Sequence, residues 1–173
     1  MLLAFTGNGK GKTTAALGNA LRLLGADKKA VMVQFIKGPW ESGEHKSVER
    51  LAPDFKIIKT GKGFVGILGD TLPIEEHEKA VEEGFKIARL EIASGKYHLL
   101  ILDEIHNAIK LNLIPISYAL AFLDYAKDKV EHIITTGRNA PQEIIEKADL
   151  VTEMLDIKHP LHKGEVATKG LDF

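Results

Sequence analysis

The sequence predicts one α/β domain over residues 1–173, with a mostly parallel sheet of about six strands and helices on both faces. Three observations predict it. Short, continuously apolar runs recur along the chain, helical stretches separate them, and a glycine-rich turn joins the first run to the first helix. Apolar runs that do not alternate with polar residues fit strands buried on both faces, as a parallel sheet between helix layers requires.

The strand runs are "LLAF" at 2–5, "AVMVQF" at 30–35, "KIIK" at 56–59, "HLLIL" at 98–102 and "HIITT" at 132–136, with "DLVTEM" at 149–154 as a sixth. The first helix begins at Lys12, Thr13 and Thr14, turns Leu17, Ala20, Leu21 and Leu24 onto one face, and ends at Gly25 in a left-handed cap. A second follows Pro73, with an apolar stripe through Ile74, Val81, Phe85, Ala88 and Ile92 and a stop at Gly95. "ISYALAFLDYAKDK" and "PQEIIEKA" read as further helices, with Pro141 in the first turn of the latter. "TGKGFVGILGD", with glycines at 61, 63, 66 and 69, reads as a mobile loop.

Composition narrows the function. A formal net charge of −1 excludes a generally basic nucleic-acid binder, so a phosphate partner must be held locally. The chain has no cysteine, which excludes disulfides, thiolate metal sites and a cysteine nucleophile and fits a reducing compartment. No apolar run has the length of a membrane helix and "MLLAF" is too short for a signal peptide, so a cytoplasmic protein with no membrane partner is expected.

"TGNGKGKT", residues 6–13, lies between a strand and a helix, where backbone N–H groups and the helix dipole converge on an anion. Lys12 then reaches a phosphate oxygen and the Thr13 hydroxyl suits a magnesium ion bound to that phosphate. The usual phosphate loop has glycine where this chain has Thr6, so this is a short variant with glycines at 7, 9 and 11. "LLILDE" places Asp103 and Glu104 at the carboxyl edge of the sheet, where ligand sites of such folds lie and where a metal on Thr13 needs oxygen ligands. Read alone, the pair is better taken as two solvated acids opening a loop; the glycine loop beside it favours the metal role. "TTGR" brings Arg138 to the same edge, positioned either to neutralise phosphate charge or as a plain surface arginine. No serine, histidine and carboxylate set offers a protein nucleophile. His159 and His162 have no helical face to share as zinc ligands, and His106 reads as a hydrogen-bonding residue.

Together, "TGNGKGKTTAA", "VQFIKGPWESGE", "GKGF", "LLILDEIHNAIKLNLI", "TTGRNAPQEIIEKADLVTEM" and "KHPLHKGEVATKGLDF" resemble the ATP:corrinoid adenosyltransferase family, in order from Phe5 to Phe173. The resemblance implies a phosphate-loop fold of the RecA-like kind and transfer of the 5′-deoxyadenosyl group of ATP to Co(I) of a corrinoid such as cobalamin, with triphosphate released. It implies a phosphate loop of Gly7, Asn8, Gly9, Lys10, Gly11, Lys12, Thr13 and Thr14. It further implies magnesium on Thr13 and Glu104 with Asp103 beside them, and Lys12 and Arg138 serving the triphosphate. It also implies ATP bound in reverse relative to other phosphate-loop enzymes, with C5′ exposed to cobalt, whose attack would remove the need for a protein nucleophile. Phe64 matches an aromatic that crowds the lower corrin face. An external reductase or flavoprotein as electron donor and a homodimer are implied as well.

The chain departs from the family pattern where a second aromatic gives way to Gly66, which leaves three readings open (Phe64 acting alone, another aromatic such as Trp40 substituting, or a different corrinoid preference or drifted activity), and where Thr168 replaces glutamine. Leu171 and Asp172 stand for isoleucine and glutamate, and since the sequence starts at its first strand, the cover that family members carry ahead of that strand is expected to be absent or supplied otherwise. Two other readings stay open on the sequence: another phosphate-loop ATPase or nucleoside kinase, and a non-catalytic ATP-dependent corrinoid-binding module. The cysteine-ligated zinc lasso usual in thymidine kinases is impossible here.

Overall fold

Six strands pair into one sheet in the computed structural model, which describes residues 1–38, 41–63, 65–66 and 70–172. In chain order the elements are β1 (Leu2–Thr6), α1 (Lys12–Leu24), β2 (Ala30–Gln34), α2 (Gly43–Glu49), β3 (Phe55–Lys59) and α3 (Ile74–Ala93). There follow β4 (Leu99–Asp103), α4 (Ile105–Lys110), α5 (Ile116–Lys127), β5 (His132–Thr136), α6 (Gln142–Lys147), β6 (Leu150–Glu153) and a 3₁₀ turn at Pro160–Lys163. The spatial order is β3-β2-β4-β5-β1-β6 and every pairing is parallel, so the sheet is wholly rather than mostly parallel.

Side chains alternate across the sheet and feed two cores. Leu100 and Leu102 of β4 join Val31, Val33, Leu2 and Ile133 under α3, α5 and α6, whereas Leu99 and Ile101 join Met32, Phe5 and Ile134 under α1 and α2. Phe85 centres the first core, with ring centroids 5.0 Å from Phe35, 4.9 Å from Phe122 and 5.1 Å from Tyr118. Continuous apolarity thus means burial on both faces for β1, β2, β4 and β5. The edge strand β6 differs, since all four of its residues are exposed.

Several local expectations are corrected. Gly25 is right-handed, with φ −64°, because the chain turns on through Ala26 and reverses at Asp27, φ 57°; a short polar side chain tolerates that conformation. Leu21 is 59% exposed and Ile74 45%, so neither belongs to its helix's buried stripe. The chain between Leu155 and Asp172 wraps beside Leu21 as a wall of the cleft described below, and Ile74 opens α3 before its first full turn. The 3₁₀ turn at Pro160–Lys163 contains His162 alone of the pair; His159 precedes it in extended conformation and caps it, its Nδ1 accepting from Leu161 N–H at 3.2 Å. Helices α2 and α4 were not anticipated; each spans under two turns, too short to show a period. The described residues of 60–70 lie in no helix or strand.

Pairing sets the site. Register places Gln34 beside Asp103 and Phe5 beside Thr136. The carboxyl ends of β1, β2, β4 and β5 therefore finish on one edge, with β5 between the strand that feeds the phosphate loop and the strand that ends in the acids.

Two helical glycines give opposite expectations. A Cβ on Gly84 of α3 would lie 2.7 Å from both the Phe35 ring and the Thr60 hydroxyl, whereas one on Gly18 of α1 meets nothing within 4 Å. Chemical denaturation is expected to show Gly84→Ala destabilised by about 1–3 kcal/mol and Gly18→Ala stabilised by about 0.5–1 kcal/mol. The same sign for both would contradict this packing.

Candidate active site

After β1 the chain turns at Gly7, φ +95°, and enters α1 from Gly11, φ +119°. Close approach also excludes side chains at two positions of this loop. A Cβ on Gly7 would sit 2.3 Å from the Met154 carbonyl and one on Gly9 2.5 Å from the Leu155 carbonyl. Gly9 N–H donates to Met154 O at 2.7 Å, so the segment after β6 backs the loop. Lys12 is buried and its Nζ donates to the carbonyls of Gly7 and Gly9, each at 2.7 Å. The loop is thereby drawn around the ammonium, whose pKa burial lowers.

Asp103 ends β4 with no exposed surface. Its Oδ1 accepts from the hydroxyls of Thr13 at 2.9 Å and Thr136 at 2.7 Å, and its Oδ2 accepts from Gln34 Nε2 at 3.2 Å. Burial pushes its pKa up despite these donors. The backbone then kinks at Glu104, φ 63°, a left-handed value that a non-glycine residue adopts only when its surroundings enforce it. Glu104 N–H donates to Thr136 Oγ1 at 2.9 Å, and the Asn107 amide donates to its carboxylate. Burial, followed by the adjacent Asp103 charge, pushes the Glu104 pKa up to about 7.

Arg138 follows β5 and faces the same cleft, its N–H donating to Asn107 Oδ1 at 2.8 Å. Its charge acts on both Lys12 and Glu104. His106, wholly buried on α4, donates from Nδ1 to Gly137 O at 3.2 Å, and burial lowers its pKa to about 4. It is a neutral hydrogen-bonding residue, in keeping with its sequence reading.

The cleft encloses about 910 Å³. Of the residues singled out in the sequence, Asn8, Gly9, Lys10, Gly11, Lys12, Thr13, Thr14, Glu104 and Arg138 line it together. Gly7 and Asp103 lie behind that lining. Phe64 and Trp40 fall outside the described residues. Lys37, three residues past β2, lines the cleft as well, its Nζ 3.4 Å from both Ser42 Oγ and Glu44 Oε1. Sequence reasoning missed it, although the strand-end argument used for Asp103 applies equally to β2. It also missed the outer wall, where the C-terminal segment supplies His159, His162 and Leu171 and Lys10 pairs with Asp172 at 2.7 Å. Among the described residues no three His, Cys, Asp or Glu side chains cluster to hold a metal. No described helix is long and apolar enough to cross a membrane.

The family model described as ATP:corrinoid adenosyltransferase BtuR/CobO/CobP matches residues 1–173. The corrinoid adenosyltransferase of Escherichia coli strain K12 is 34% identical over 173 residues, covering 100% of this chain and 85% of that one. The corrinoid adenosyltransferase of Sinorhizobium sp is 36% identical over 175 residues, covering 100% and 80%. Among solved structures, the flagellar accessory protein FlaH from Methanocaldococcus jannaschii matches with a TM-score of 0.56 at 11% identity, over 88% of this chain and 69% of that one. That likeness is one of fold.

The raised Glu104 pKa has a stability consequence. With a pKa of about 7 in the folded protein against an ordinary 4.5, the folded state keeps a proton that the unfolded chain releases. Stability from this group is full below the unfolded value and is lost as pH rises through the folded one. In the ligand-free protein, Glu104→Gln is expected to match the parent near pH 5 and to exceed it by up to about 3 kcal/mol near pH 8. Thermal melting at the two pH values checks this, and a pH-independent difference contradicts it.

Proposed function

The chain belongs to the ATP:corrinoid adenosyltransferase family, and we propose that its cleft transfers the 5′-deoxyadenosyl group of ATP to Co(I) of a corrinoid with release of triphosphate. The observation that carries this reading is the meeting, in one cleft, of the phosphate-loop amides with Lys10, Lys12, Lys37 and Arg138. A triphosphate leaving group carries several negative charges, and fixed donors that receive that charge lower the barrier to its departure. The cobalt electron pair attacks C5′, the C5′–O5′ bond breaks, its electron pair leaves on the triphosphate, and cobalt rises formally from Co(I) to Co(III). The substrate brings the nucleophile, so the protein's task is to hold C5′ in line.

In this proposal Lys12 leaves the Gly7 and Gly9 carbonyls for phosphate oxygens, and Arg138 meets the same charge from β5. The residues fit magnesium. Thr13 gives its hydroxyl hydrogen to Asp103, which leaves its oxygen lone pairs for a cation, and Glu104 supplies a carboxylate lining the same cleft. Asp103 acts through Thr13, since it is fully buried and already accepts three hydrogen bonds. The remaining ligands of a hard cation come from phosphate and water, and bound magnesium supplies charge neutralisation.

Phe64 is assigned to the lower corrin face on its sequence motif alone. An external reductase or flavoprotein as electron donor is proposed on the family resemblance alone. The exposed β6 edge, with Leu150 43% and Val151 40% exposed, supports a homodimer.

Incubation with ATP, magnesium and chemically reduced corrinoid is expected to yield one triphosphate per cobalt–carbon bond. Lys12→Ala is expected to lower that rate by about 100-fold or more. ADP and phosphate as the products would overturn the proposal.

A further inference from the structure

A directed run of hydrogen bonds leaves the phosphate site and ends on a residue with no role in the chemistry above. His45, on α2, is half-buried, and its Nδ1 accepts from the backbone N–H of Ser42 at 3.0 Å. That contact fixes the tautomer, so Nε2 carries the hydrogen and donates it to Gln34 Oε1 at 2.8 Å. Gln34 has no exposed surface, and its Nε2 donates in turn to Asp103 Oδ2 at 3.2 Å. On its other oxygen Asp103 receives Thr13 and Thr136. From the start of α2 every link donates toward Asp103, and the Thr13 hydroxyl at the head of α1 donates to the same carboxylate from the other side.

We propose that Gln34 and His45 are positioning residues that hold the Asp103 carboxylate where it orients Thr13, and so couple α2 to the metal-nucleotide site; this rests on the nucleotide-site reading above. The Gln34 amide has two orientations, and only one is compatible with its surroundings. Flipped, its oxygen would face the Asp103 carboxylate, acceptor against acceptor, and its NH₂ would face the His45 N–H, donor against donor. His45 therefore selects the orientation that supplies Asp103 with a donor. Without that donor the buried carboxylate has one oxygen unpaired and is free to turn, and the Thr13 hydroxyl loses its fixed direction. Gly43, Glu44 and Ser47, beside His45 on α2, line the cleft itself, so a ligand that presses on α2 presses on the same chain.

Two substitutions separate this role from simple capping of α2. In His45→Asn, the side-chain oxygen still reaches Ser42 N–H as Nδ1 does, but the residue is too short to reach Gln34. In His45→Gln, the terminal amide reaches Gln34 and the match to Ser42 is lost. Calorimetric titration with ATP, in the presence and absence of magnesium, is the readout, and it is independent of cobalt chemistry. His45→Asn is expected to weaken binding of magnesium ATP about tenfold while metal-free ATP binds within about twofold of the parent. His45→Gln is expected to stay near the parent in both. The opposite ranking, or equal losses with and without magnesium, would overturn the proposal and leave His45 as a cap. A parent protein that binds neither form would sink the nucleotide reading and this proposal with it. A parent that binds both but forms no cobalt–carbon bond would sink only the adenosyl-transfer reading.

Discussion

The Asp103 carboxylate has no contact with solvent and is held by donors from three elements, Thr13 of α1, Thr136 of β5 and Gln34 of β2. Removing a carboxylate from water is costly, and the cost is offset only while those donors stay in place. The three elements are therefore tied at a single point on the sheet edge. Placing β5 between β1 and β4 makes this possible, since Thr136 bridges strands that do not touch. The Glu104 backbone N–H also donates to Thr136, so the kink that turns Glu104 into the cleft depends on the same point.

Around this anchor the inner cleft gathers like charges. Lys12 and Arg138 line it beside Glu104, whose pKa is pushed up to about 7, whereas Lys37 and Lys10 are already paired with Glu44 and Asp172. Like charges held together stabilise little in the empty protein, and the arrangement becomes favourable once a polyanion and a cation are added. Lys12 shows the same economy, since in the free protein its ammonium borrows two loop carbonyls as partners. The loop can close on itself so tightly because residues 7 and 9 carry no side chains where the segment after β6 crosses.

Most of this was legible in the sequence where a residue type has one physical use. Glycines at 7, 9 and 11 before Lys12 and Thr13 announced an anion cradle, and apolar runs ending in Asp103 and Thr136 announced strands delivering side chains to one edge. Arg138, ambiguous by position, lines the cleft. What was not legible depends on pairing. Gln34 acquires its role from register with Asp103, four elements later in the chain, and His45 acquires its own from Gln34. Leu21 kept the helical period yet lies on the cleft side of α1, because a ligand-facing surface is as apolar as a core-facing one. Helix α4 escaped notice because it starts at once from a strained Glu104 with no turn signal before it.

The central physical claim is that this cleft is built for the polyphosphate of ATP, held so that its sugar carbon is the point of attack. Competition by inorganic triphosphate tests it most directly. In equilibrium titrations with magnesium present, triphosphate is expected to displace ATP one for one, as a leaving group that shares the cradle must. Triphosphate and ATP bound together without mutual displacement would contradict the account.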